Sequence, residues 1–191
     1  MLRLSNDVFI CAERRLFVTQ KAREVLQDCR LALRMLEADQ DDESWRVHWA
    51  AAVALIRTVG SVLDKVDGDL DAAIKAASNT RYREWRTGTG QNEMFTEFIE
   101  KERNNLLKEY KTDVHPLPEI QMALQTTLRR VSDGAPLTVS DIVELDKNIY
   151  RPILDGPWEG DDARDVLSAA IDWWQRELNL IDKMAATLRE K

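Results

Sequence analysis

Apolar residues recur every three or four positions over most of this chain, the period of helices that bury one side. The first stripe is Val18, Ala22, Val25, Cys29, Ala32 and Leu36, and it predicts a helix from Ser5 or Asn6 to about Ala38. The acidic run Asp39 to Glu43 then reads as a loop, and Ser44 as the N-cap of a second helix from Trp45 to about Val66. One row of that helix is Trp45, Trp49, Ala52, Ile56, Val59 and Leu63, and a second adds Leu55, Val62 and Val66. Ala50, Ala51, Ala54 and Gly60 let neighbours approach closely, so this helix is expected at the centre of the fold. A third helix is predicted over Leu70 to Arg86, followed by a turn at Thr87-Gly-Thr-Gly-Gln. A fourth begins near Asn92, with Phe95, Ile99, Leu106 and Tyr110 on its stripe. The last runs from Asp161 or Asp162 to about Arg189, with Leu167, Ile171, Trp174, Leu178, Ile181, Ala185 and Leu188 spaced by four and three. Trp173 beside that seam suits either a second apolar surface for self-association or, with six tryptophans in one bundle, an interior position.

Residues 112–160 break the pattern, and all five prolines (Pro116, Pro118, Pro136, Pro152 and Pro157) fall there. Ile120, Met122 and Leu124 alternate as in a strand, whereas the stretch from Thr138 to Glu144 suits either a strand or a short capped helix. The predicted fold is therefore all-α or mainly α. It is an antiparallel bundle of about five helices in a single domain, with an irregular, partly β insertion at 112–160 before the C-terminal helix.

At 191 residues, 44% hydrophobic and 32% charged, the chain suits one soluble domain with a real core. The net charge of −7 argues against indiscriminate nucleic-acid binding, but a local basic patch on an acidic protein still contacts phosphate. No apolar run approaches bilayer length and the first residues lack a signal-peptide apolar core, so a cytoplasmic protein without membrane contact is expected. Cys11 and Cys29 lie eighteen positions apart on one predicted helix, about 27 Å along its axis, too far to bridge. No cofactor or metal site is predicted.

Chemistry concentrates in Arg103 to Tyr110, read Arg-Asn-Asn-Leu-Leu-Lys-Glu-Tyr. At about 100° per residue Arg103 falls on the apolar stripe, where a guanidinium needs either a carboxylate from another helix or a polar cleft. This segment resembles the ribonuclease motif of the HEPN family of small helical bundles, in the variant Arg-Asn-x-x-x-His-x-Tyr. The resemblance places Arg103, Asn104 and Tyr110 on the motif and puts Lys108 where the family has histidine. It implies metal-independent cleavage, with an RNA 2′-hydroxyl attacking the adjacent phosphate, in a cleft formed across a two-fold homodimer. A lysine titrates near about 10.4 and holds a phosphate without readily cycling a proton, so cleavage is expected to be weak or absent.

In Arg81-Tyr82-Arg83-Glu84-Trp85-Arg86, cations alternate with aromatics and suit a single-stranded RNA, although a basic helix end is the plainer reading. His48, Arg57 and His115 are candidate supports of the Arg103 site, each with an ordinary structural role as the alternative. The resemblance thus implies an RNA-directed protein of toxin–antitoxin or phage-defence type, partnered by RNA or by a cognate antitoxin or defence component. The alternative is a non-enzymatic helical interaction or dimerisation module in which Arg103 is a structural tether.

Overall fold

The computed structural model describes residues 19–39, 41–115, 120–145 and 148–190. The predicted helix start, Cys11, Val18, Pro116 and Pro118 lie outside them. Helix α1 (Gln20–Ala38) has the expected face buried: Ala22, Leu26, Cys29, Ala32 and Leu36. Burial pushes the Cys29 thiol up to about 12. Helix α2 runs as an α-helix over Asp42–Val62, widens into a π turn at Leu63–Asp67 and ends at Gly68–Leu70. Its N-cap is Asp41 rather than Ser44, because the Asp41 carboxylate accepts the Ser44 backbone N–H at 2.9 Å. Helix α3 (Ala72–Trp85) is capped by Asp71, which accepts the N–H groups of Ala73 and Ile74. After a 3-10 turn at Gly90–Asn92 comes α4, which begins as a π turn at Met94–Glu100 and continues as an α-helix over Lys101–Glu109. Helix α5 (Ala163–Arg189) starts behind the Asp162 cap, where its acidic cap and apolar spacing place it.

The protein is thus mainly helical, with a small two-stranded sheet before its last helix. Helix α1 packs on α2 and α5, α3 on α5 and on the π turn of α2, and α4 on α2 and α5. The core is dense in aromatics. Trp85, Phe95, Trp173 and Trp174 form one cluster with ring centres 4.9 to 6.3 Å apart, and Trp45 stacks on Trp49 at 5.5 Å. Trp173 is therefore interior (2% exposed), the second of the two positions its place beside the seam left open. Gly60 permits the close approach of α5: a Cβ there would lie 2.9 Å from the Trp174 ring. The start of α1 is capped from other helices. Asp67, in the π turn, accepts the N–H groups of Lys21 and Ala22, and Asp182 of α5 accepts that of Thr19.

Within 112–160 the structure gives a long antiparallel hairpin, β1 (Ile120–Arg129) and β2 (Pro136–Leu145), in register from Ile120 against Leu145 to Arg129 against Pro136. Thr138 to Glu144 is strand, settling the alternative the sequence left open. One face carries Met122, Leu124, Leu128, Leu137, Val139 and Val143, and the other is mostly polar. Every side chain from 121 to 144 is exposed except the half-buried Ala135. The chain returns through bridges between Val114 and Ile153 and between Pro152 and Asp162, with Trp158 edge-on to Phe98. One stretch, Glu43–Leu70 in α2, is long and apolar enough by length and composition to cross a bilayer, contrary to the sequence expectation. Its row from Trp45 to Leu63 is spent on the core.

Candidate functional site: the outer face of helix α4

The buried positions of α4 include Phe95, Ile99, Glu102 and Leu106, spaced by four, three and four as on a regular helix, so Glu102 rather than Arg103 takes the core position. Glu102 is 3% exposed and fully engaged. Its carboxylate accepts the Trp49 indole N–H at 3.0 Å, the Thr112 hydroxyl at 2.6 Å and the Asp113 backbone N–H at 3.3 Å.

Arg103 is left half-buried on the flank of the helix. Its guanidinium donates to Asn104 Oδ1 at 2.9 Å, and no carboxylate among the described residues pairs with it. Arg103 and Leu107 form one row on the outer face, and Asn104 and Lys108 the adjacent row. Lys108 is exposed without an ion-pair partner among the described residues, while Glu109 turns to Lys111 at 2.8 Å, which holds its carboxyl below the usual range. Tyr110 corrects the sequence reading. It lies at the end of α4 in the left-handed region (φ 52°), its N–H closing back on Leu106, and it is 74% exposed rather than part of the core stripe.

The second basic stretch is largely committed to structure. Trp85 is buried and donates its indole N–H to Glu177 at 2.8 Å, so it is no platform for a base. Arg81 grips the same carboxylate through two bonds, at 2.7 and 2.8 Å, and also pairs with Glu84. Arg86 pairs with Glu100 at 2.6 Å. Arg83 and Tyr82 remain exposed. Of the proposed supports, His48 bonds Asp39 at 2.7 Å, closing the corner between α1 and α2, and His115 is tied by its backbone to Pro152. Arg57 lies over the Phe95 ring at 5.7 Å and reaches Glu100 at 3.8 Å. None of these three shares a hydrogen bond or ion pair with Arg103.

Two polar anchors, Glu102 and Glu177, were not singled out from sequence. Glu177 lies one position before Leu178 on the α5 seam, and nothing in its spacing distinguishes it from a solvated glutamate. Among the described residues no group of His, Cys, Asp and Glu is assembled to hold a metal ion. Compared with protein-family models, characterised proteins and solved structures, the chain matches none.

Proposed function

We propose that this is an RNA-directed protein, an antiparallel helical bundle of HEPN type in which Arg103 and Asn104 bind phosphate or ribose on the outer face of α4. The observation that carries this reading is the pairing of Arg103: a half-buried guanidinium whose partner is the amide beside it, with no carboxylate partner among the described residues. A structural tether would have its acid. Here the fork of donors remains open to an anion, which phosphate fits in two-point geometry. Lys108 adds a second unpaired cation one row away, and exposed Leu107 and Tyr110 flank it as apolar surface that a second copy of the chain would cover. We place the protein in the cytoplasm, acting as a homodimer within a toxin–antitoxin or phage-defence system.

The lysine limits the chemistry. It neutralises a phosphate but does not relay a proton at neutral pH, so the native protein binds RNA and cleaves it weakly or not at all. The test is cleavage and gel retardation of a mixed tRNA and single-stranded RNA pool by wild type, Lys108→His, and Lys108→His with Arg103→Ala. The histidine variant is expected to gain cleavage that the second substitution removes. If none of the three cuts or retards RNA, the reading fails. The interaction-module alternative then stands, favoured by the exposed apolar face of the hairpin.

A further inference from the structure

A cleft of about 400 Å³ opens between α2 and α3, remote in sequence from the α4 motif. Small and polar residues line it, Gly60 and Ser61 from α2 and Ser78 and Asn79 from α3. Both π turns contribute to its wall, the one at Leu63–Asp67 through Leu63, Asp64 and Lys65 and the one at Met94–Glu100 through Phe95. Such turns recur at functional sites because they displace backbone and side chains from regular helical positions.

The lining combines a weakly held cation with an aromatic wall. Arg57 donates to Ser61 Oγ at 3.4 Å and approaches Glu100 only to 3.8 Å, whereas Glu100 closes on Arg86 at 2.6 Å. Most of the five guanidinium donors are thus left without a close protein acceptor among the described residues. Lys65 is exposed and unpaired among them, and the one acid in the lining, Asp64, is already bound by Lys75 at 2.7 Å. Tyr82 is fixed by perpendicular ring contacts to Trp85 (6.2 Å) and Phe95 (6.0 Å), yet 43% of it remains exposed. Phe95 stands between the two functions, within 6.0 Å of both the guanidinium and the tyrosine ring.

We propose that this cleft binds a nucleoside monophosphate, its phosphate on Arg57 and Lys65 and its base against Tyr82, with Asn79 offered to the base edge. The volume is that of a small-ligand pocket, the guanidinium supplies the two-point phosphate contact, and the ring supplies a planar surface. This site is separate from the RNA face of α4.

The test is calorimetric titration of the full chain with the adenosine, guanosine, cytidine and uridine 5′-monophosphates, with adenosine and inorganic phosphate alongside. At least one monophosphate is expected to bind at millimolar concentration or below, and more tightly than either fragment. Arg57→Gln and Tyr82→Ala are each expected to weaken it about tenfold or more. Ser61→Tyr, which sets a ring in the cleft in place of the hydroxyl that accepts from Arg57, is expected to abolish it, and thermal melts of each variant confirm that the fold persists. Absence of binding by all four monophosphates overturns the proposal. So does binding that survives all three substitutions, or binding removed by Arg103→Ala instead, which would place the nucleotide on α4. Equal affinity for inorganic phosphate would overturn the role of Tyr82.

Discussion

Tyr110 is the one non-glycine residue with positive φ among the described residues, and that position is costly for a side chain with a Cβ. A glycine fits the same C-terminal cap without strain. Tyr110→Gly is therefore expected to raise stability by about 0.5–1 kcal/mol in urea titration while weakening RNA retardation. A tyrosine retained there at that cost fits a residue kept for contact, not for packing. Glu177 gives the opposite case. It is buried and serves both the Arg81 fork and the Trp85 indole, so Glu177→Ala would strand the indole N–H away from water and leave Arg81 only its pair with Glu84. The expected loss is about 3 kcal/mol, or roughly 6–12 °C in Tm by calorimetry. Arg103 stood out in the sequence because a cation on an apolar stripe breaks a visible rule, and Lys108 because it stands where the resembling motif has histidine. Glu102 and Glu177 did not, since their burial is settled by helices distant in the chain: Glu102 by Trp49, Glu177 by Arg81 and Trp85.

At the scale of elements, α3 and α5 were legible because acidic caps mark their starts and apolar residues recur at helical spacing behind them, whereas α1 was legible at its far end only: the predicted helix runs through Thr19, which is the non-helical N-cap of a helix that begins at Gln20. The π turns were not, because a single extra residue per turn leaves composition and spacing almost unchanged. Arg103 left the core stripe because the four-three-four spacing from Phe95 to Leu106 runs through Glu102, and Tyr110 left it because the helix ends at Glu109. Hairpin pairing was half legible: Ile120, Met122 and Leu124 alternate visibly, but the register depends on a partner strand that also scored as a helix start. The best-defined cap, Asp162, carries a pH prediction. Burial raises its carboxyl, but the Arg164 guanidinium and the N–H groups of Arg151 and Arg164 outweigh this and hold it below the usual range. A depressed carboxyl stabilises the fold above the ordinary carboxylate pKa, and that contribution is lost as pH falls through the folded value. Urea titrations should show Asp162→Asn about 1 kcal/mol less stable than wild type near neutral pH. The gap should narrow in acid.

Across the whole molecule, the helices and the hairpin are joined through the Val114–Ile153 bridge and the Asn148 side chain, which donates to the Leu36 carbonyl at 2.8 Å. No residue from 121 to 144 belongs to the buried core. Replacing residues 119–146 with a short glycine linker is therefore expected to shift Tm by less than about 3 °C and leave the helical circular-dichroism signal per helical residue unchanged. A larger drop would show that the strands support the helices. Because a lone two-stranded ribbon is marginal in water, its ladder opens without waiting for the helices to melt. The hairpin amides then exchange with solvent deuterium through a small local fluctuation that denaturant barely accelerates, while the amides around Trp174 report the unfolding of the entire helical body. One polypeptide keeps two clocks, and the backbone ladder from Met122 to Leu128 runs on the faster of them.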